Sequence, residues 1–348
     1  MSKLRSLLKS MPHLIHTGFA CGISAAAPGL AKTPQRASTG PIGPLSSPLR
    51  TMATAVNATT DRIAPPTPSK SKFKLALCQL AVGADKERNI QHARQVIDRA
   101  AGEGARLVIL PEIWNSPYSN DSFPVYAEEV GGGESPSTAM LSDAAAANSI
   151  VLVGGSIPER SEGKLFNTSF VYGPKGELLG RHRKVHLFDI DIPGKIRFKE
   201  SEVLTPGSDL TVIDTELGRI GVAICYDIRF PELAALYAAR GCQLLVYPGA
   251  FNMTTGPAHW ELLLRARAVD AQLYVAGVAP ARDLSAGYHS WGHSALVDPF
   301  GRVVAAAEES EAIIHAEVDL DQIAEQRKGV PYNDQKRSDL YSLLDLTR

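Results

Sequence analysis

Beyond residue 72 the chain alternates between short apolar runs and longer amphipathic stretches. Residues 73–80 read as a strand. Ile90, Ala93, Val96, Ile97 and Ala100 recur at helical spacing across Lys86–Gly102. The apolar run 106–110 predicts a buried strand, 137–148 a second helix and 150–155 another strand. Residues 165–172 and 177–184 read as paired strands joined by the turn Gly173-Pro174-Lys175-Gly176. A long polar-aromatic loop is expected over 186–204. A strand is expected at 219–225, a helix at 230–240, a strand at Leu244–Pro248, a helix at 257–271 and a strand at 273–278. The last strands fall at 293–298, Val303–Ala306 and 312–318, with a closing helix at 319–327.

Helices that alternate with strands, with strand pairs between them, predict a mixed α/β layered domain rather than two separate ones. Its expected extent is 72–338, followed by a tail at 339–348. Residues 61–71 are Pro-rich and read as a linker. Residues 1–60 are of another kind. They carry Lys3, Arg5, Lys9, Lys32, Arg36 and Arg50, and the first acidic residue is Asp61. A basic, acid-free segment rich in Ser, Ala and Pro reads as an organelle transit peptide, with chloroplast favoured over mitochondrion. Met52 offers a second start that would leave a cytosolic form. No apolar core suited to a secretory signal follows the first basic residues.

Composition narrows the class. The net charge is −1, so no global field points to nucleic acid or a membrane surface. No run approaches the roughly 18 apolar residues of a spanning helix. Cys21, Cys78, Cys225 and Cys242 form no C-x-x-C pair, and no Cys/His cluster has zinc spacing. No metal and no cofactor is expected, and a reducing compartment fits better than a disulfide framework.

Three blocks carry candidate chemistry. In Gly218-Arg219-Ile220-Gly221-Val222-Ala223-Ile224-Cys225-Tyr226-Asp227 an apolar strand runs into a cysteine and then a turn. Such an elbow exposes one side chain where the next backbone N–H groups can face a substrate oxygen. A thiol is a good nucleophile there, although a buried structural cysteine fits the same letters. Leu107-Val108-Ile109-Leu110-Pro111-Glu112 ends a buried strand on a carboxylate, where partial burial raises a pKa toward a useful value. Arg181-His182-Arg183-Lys184-Val185-His186 reads either as a basic strand edge or as a strand with one lysine turned inward to hold an oxyanion. Spacing alone does not select Lys184 over Arg183.

Taken together, these blocks resemble the nitrilase, or carbon–nitrogen hydrolase, superfamily over nearly all of residues 73–338. The resemblance implies a four-layer α-β-β-α sandwich that pairs into an eight-layer homodimer. It implies Glu112 as general base, Lys184 as stabiliser of the tetrahedral intermediate, Cys225 as nucleophile and Glu200 as a supporting glutamate. Tyr226 stands where true nitrilases carry Trp, which points away from nitriles. The segments Leu110–Tyr118, His186–Lys195 and Gly249–Glu261 look like the omega-amidase branch.

That branch implies hydrolysis of the terminal amide of short dicarboxylic keto acid monoamides, such as α-ketoglutaramate and α-ketosuccinamate. The products are the dicarboxylate and ammonia, formed through a Cys thioester. The alternatives are an amidase of deaminated glutathione, an N-carbamoyl amino acid hydrolase or a non-catalytic interaction protein. The substrate carboxylate calls for a cation or a helix N-terminus, with Arg229, Arg282 and Lys195 available. Tyr118, Phe188, Tyr226, Asn252, Thr254 and Thr255 complete the expected substrate-binding set. His259 and Trp260 pack or cap, and Asp227 with Arg229 reads equally as an ion pair behind the elbow.

Overall fold

The computed structural model describes residues 63–130, 135–194 and 196–347. These belong to one compact unit, Thr54–Arg348. The transit peptide expected at 1–60 lies outside the described residues, and so does Lys195.

In chain order the first elements are β1 (Lys72–Gln79), α1 (Lys86–Gly102), β2 (Leu107–Ile109), α2 (Phe123–Tyr126), β3 (Glu128–Glu129) and α3 (Pro136–Asn148). They continue with β4 (Val151–Val153), β5 (Ile157–Ser161), β6 (Lys164–Tyr172), β7 (Leu178–Arg183), β8 (Asp189–Ile192) and β9 (Ile196–Lys199). The second half holds β10 (Thr211–Thr215), β11 (Gly218–Val222), α4 (Pro231–Ala239), β12 (Leu244–Pro248), α5 (Gly256–Ala271) and β13 (Tyr274–Val278). It closes with β14 (Ala295–Val297), β15 (Val303–Ala306), β16 (Ala312–Asp319) and α6 (Asp321–Gly329).

Two sheets result. One runs β16-β1-β2-β4-β6-β5-β3, with β7 also on β6; the other runs β10-β11-β12-β13-β14-β15. The pleat alternates side chains between faces, and the central strands bury both. Leu75, Leu77, Leu107 and Ile109 of the first sheet meet Ile220, Val222, Leu244 and Val246 of the second in one core. On the outer face of the first sheet, Ala76, Cys78 and Val108 pack with Ala93, Ile97, Leu141 and Ala144 of α1 and α3. On the outer face of the second, Leu245 and Tyr247 pack with Tyr237, Trp260 and Leu264 of α4 and α5. The layers are α, β, β, α, as the sequence led us to expect.

The parallel strands β1, β2 and β4, and β11, β12 and β13, all deliver their carboxyl ends to one side. The loops beyond β2, β11 and β12 therefore converge there, which is where ligands bind in parallel α/β sheets.

Several expectations are corrected. The loop at 186–204 contains the β8–β9 hairpin and a 3₁₀ turn at Glu200–Glu202. The strand expected at 219–225 stops at Val222, because Cys225 adopts φ +45° and Cys225–Arg229 winds into a 3₁₀ turn. β10 is an edge strand in which only Ile213 is fully buried, so no apolar run announces it. The Pro-rich segment is not a free linker: the Ile63 N–H bonds the Ala239 carbonyl and the Ser69 N–H that of Glu216. In the tail, Arg240 Nε reaches Asp345 at 2.7 Å and its guanidinium also bonds Thr347.

Candidate active site

Glu112 leaves the end of β2 on a tight turn. Gly155 lets the next strand approach there, since a Cβ at 155 would fall 2.1 Å from the Pro111 carbonyl oxygen. The Glu112 carboxylate is fully buried and saturated with donors. Its Oε1 accepts from Lys184 Nζ at 3.0 Å and Asn167 Nδ2 at 2.8 Å, and the Tyr118 hydroxyl lies 3.3 Å away. Its Oε2 accepts from the Ala250 N–H at 2.8 Å. The Cys225 thiol is close enough to the same carboxylate to influence its pKa.

Lys184 follows β7, with its side chain turned fully inside. Its ammonium lies 2.9 Å from the Glu200 carboxylate as well as 3.0 Å from Glu112. By contrast Arg183 points to the other side, where it forks onto Glu159 and stacks on Phe166. The alternation of a strand thus decides between the two cations that spacing left open. Glu200 is buried too. It accepts from the Tyr118 hydroxyl at 2.6 Å and from the Phe188 N–H at 2.7 Å.

Cys225 sits where β11 gives way to its 3₁₀ turn, almost wholly buried and in the left-handed region. Such backbone in a non-glycine residue is costly and persists only where the surroundings over-determine it. Here they do. Asp227 Oδ2 accepts the Ile224 N–H at 2.9 Å, while Oδ1 accepts the His186 N–H at 2.9 Å and lies 2.8 Å from His186 Nδ1. His182 Nε2 approaches Oδ2 at 3.4 Å. Gly249 permits the neighbouring strand end to come close, because a Cβ there would fall 3.3 Å from the Cys225 Cα.

Burial and neighbouring charge shift Glu112, Lys184, Cys225 and Asp227. Burial raises the Glu112 pKa; Lys184 opposes that and Glu200 adds to it. Burial works against the Lys184 ammonium, yet the two carboxylates outweigh it and hold its pKa well above the ordinary value. Burial and then Glu112 push the Cys225 thiol up, against the pull of Lys184 and the Ala250 N–H. Cys225 therefore rests as a thiol beside a carboxylate of enhanced basicity. Burial opposes the charge on Asp227, but bonds from His182 and His186 prevail and lower its pKa.

Two cavities adjoin this cluster. The larger, about 590 Å³, borders Glu112, Tyr118, Phe198 and the 280–290 loop. The smaller, about 10 Å³, borders Cys225, Tyr226, Phe188, Arg229 and Thr255. Tyr118 borders the larger cavity, and Phe188, Tyr226, Arg229 and Thr255 border the smaller. Asn252 and Thr254 border neither cavity. Asn252 Oδ1 caps the Thr254 and Thr255 N–H groups at 2.9 Å ahead of α5, and Thr254 is exposed.

Arg282 also borders neither cavity; it donates to the Trp291 carbonyl. Arg229 makes no pair with Asp227. It lies over Phe251, with a nitrogen 3.3 Å from His259 Nδ1. Trp260 packs, its indole N–H bonded to the His293 carbonyl. Among the described residues, His293, Glu308 and Glu309 form a surface grouping of metal-ligand type, and none of the three borders either cavity.

Sequence reasoning missed Asn167, Ala250, Tyr288 and the partners of Asp227. Asn167 left one trace, the polar run Asn167-Thr168-Ser169 inside a strand buried on both faces. Buried polar groups need partners, so such a run calls for one.

Fold and site together define an α-β-β-α sandwich enzyme built around a buried cysteine, a lysine and two glutamates. The sequence model of the carbon-nitrogen hydrolase family matches residues 74–328, and the chain belongs to that family. It is 62% identical over 285 residues to the chloroplastic omega-amidase of Arabidopsis thaliana, covering 81% of this chain and 77% of that one. It is 55% identical to the omega-amidase NIT2 of Homo sapiens, covering 78% and 98%. Among solved structures it resembles Saccharomyces cerevisiae Nit3, a member of branch 10 of the nitrilase superfamily. That match has a TM-score of 0.72 and 47% identity over 78% of this chain and 100% of the other.

Proposed function

We propose that this enzyme is an omega-amidase that hydrolyses the terminal amide of short dicarboxylic keto acid monoamides. The observation that carries this reading is Arg229. Its guanidinium borders the same narrow space as Cys225, so a cation able to meet a substrate carboxylate stands on the sulfur's side of the site. The omega-amidases of Arabidopsis and human, at 62% and 55% identity, support it.

In this mechanism Glu112 takes the thiol proton of Cys225 and the sulfur attacks the amide carbon. Lys184 and a backbone N–H at Tyr226 stabilise the oxyanion. Glu112 returns the proton to the nitrogen, and the carbon–nitrogen bond breaks to release ammonia. Water, deprotonated by Glu112, then attacks the thioester; the carboxylate leaves and the thiol re-forms. Glu200 and Asn167 keep Lys184 and Glu112 in register, and Tyr118 stays protonated because burial and both carboxylates raise its pKa.

Ammonia release from α-ketoglutaramate by the purified chain, beside Cys225→Ala, tests this. Release by the parent alone supports the reading. Release by the mutant removes Cys225 from its role. Release by neither moves the substrate to deaminated glutathione or N-carbamoyl amino acids.

Two further readings belong here. The outer helix α5 leaves Leu262 and Val269 exposed, 63% and 41%, which supports pairing of this face into the eight-layer homodimer. Leu262→Asp should then lower the sedimentation coefficient to that of a monomer. The acid-free leader and the chloroplastic relative support a chloroplast location, which a fluorescent fusion to residues 1–60 tests against mitochondrial and cytosolic distributions. Among the described residues no helix is long and apolar enough to cross a membrane.

A further inference from the structure

The segment 249–252 beyond β12 is tied to the 288–291 loop. Tyr288 donates its hydroxyl proton to the Ala250 carbonyl at 2.5 Å, the Trp291 N–H bonds the Phe251 carbonyl at 2.6 Å, and Asn252 pairs with Ser290 in an isolated bridge. The Tyr288 bond bears on the chemistry, because the Ala250 N–H is the donor to Glu112 Oε2 at 2.8 Å. The same N–H favours the thiolate of Cys225. The Tyr288 ring also stacks on Tyr118 at 4.6 Å, and the Tyr118 hydroxyl lies 3.3 Å from Glu112 Oε1. Tyr288 thus holds a neighbour of each oxygen of the Glu112 carboxylate.

We propose that Tyr288 is a positioning residue for the general base: by gripping the Ala250 carbonyl it aims the N–H of that residue at Glu112. The inference rests on the mechanism in which Glu112 takes the thiol proton of Cys225. Ala250 offers its carbonyl to Tyr288 and its N–H to Glu112, so fixing one bond orients the other. An N–H aimed at a carboxylate favours the charged form, and burial works against that form at Glu112. With the grip released, Oε2 loses its donor and Glu112 keeps a proton to higher pH. Burial, Cys225 and Glu112 push the Tyr288 pKa well up, so its hydroxyl retains the proton it donates.

The experiment uses the full chain and Tyr288→Phe, which keeps the ring and its stacking and removes only the hydroxyl. With α-ketoglutaramate the variant should lose about 10- to 100-fold in kcat, the scale of a misplaced catalytic group, with a smaller change in KM. The acid limb of kcat/KM should move to higher pH, since the carboxylate has lost a donor. Iodoacetamide should label Cys225 more slowly than in the parent at any given pH, because the thiol has lost the pull of the Ala250 N–H. In a Glu112→Gln background the same substitution should cost far less kcat, because residues that act through one another do not add.

Near-ultraviolet circular dichroism reports the fold. Should Tyr288→Phe lose it, Tyr288→Met, an adaptable apolar replacement, carries the same measurements. In a folded variant, either an unmoved acid limb or an unchanged labelling rate overturns the proposal, as does an equal loss of kcat with and without Glu112. A parent that releases no ammonia from α-ketoglutaramate overturns the substrate reading alone. Labelling needs no substrate and then decides the inference: slower labelling in Tyr288→Phe supports it, and an unchanged rate overturns it.

Discussion

The Asp227 carboxylate lies 2.8 Å from His186 Nδ1 and joins the turn that carries Cys225 to the segment after β7 that carries Lys184. Its two oxygens accept two different backbone N–H groups, those of Ile224 and His186. An amide side chain has one acceptor oxygen and cannot satisfy both. Asp227→Asn should therefore cost about 1–3 kcal/mol of stability in chemical denaturation, the usual penalty for leaving a buried donor without a partner. Displacement of Cys225 from Lys184 should also lower kcat by about 100-fold, with a smaller change in KM.

The same carboxylate gives a pH signature. Its folded pKa is depressed, so its contribution to stability is complete above the ordinary value of 3.8 and is lost as pH falls below it. Acid denaturation followed by circular dichroism should show this, and Asp227→Asn should be less sensitive to pH in that range.

Activity should respond to acid sooner. Burial raises the pKa of Glu112, and the base form is needed for attack. The acid limb of the kcat/KM profile should lie above the ordinary glutamate value of 4.5. Glu112→Gln should lower kcat by about 10²–10⁴-fold and erase that limb. A limb at or below 4.5 in the parent enzyme would point to a different base.

Cys225 is pushed up by burial and by Glu112, so alkylation of the free enzyme should accelerate only above the ordinary thiol value of 9.0. The rate of iodoacetamide labelling against pH measures this. Fast labelling at neutral pH would mean a resting thiolate instead.

Arg229 should act on binding more than on chemistry. Arg229→Gln should weaken the transition state for carboxylate-bearing amides by about 1.5–3 kcal/mol, the worth of a hydrogen bond to a charged group. Neutral amides such as butyramide should be turned over at nearly the parental kcat/KM. Equal losses for both substrate types would remove Arg229 from carboxylate recognition.

Much was legible in the order of residues. The period of helix α1 and the apolar runs of β2 and β12 follow from local packing alone, and the layered class follows from their alternation. Glu112 and Cys225 were visible because each ends such a run. Other features depended on contacts between distant segments. Lys184 and Arg183 are adjacent cations, and only the pleat of β7 sent one inward to two glutamates and the other outward to Glu159. Tyr288 lies 170 residues from Tyr118, yet the two rings stack. Glu200 sits in a polar loop and is fully buried. Burial and pKa are properties of groups brought together across the fold. Sequence determined which strands and helices form and where their functional ends lie; tertiary structure decided which charges lose water and face one another, because desolvation depends on neighbours in space rather than along the chain.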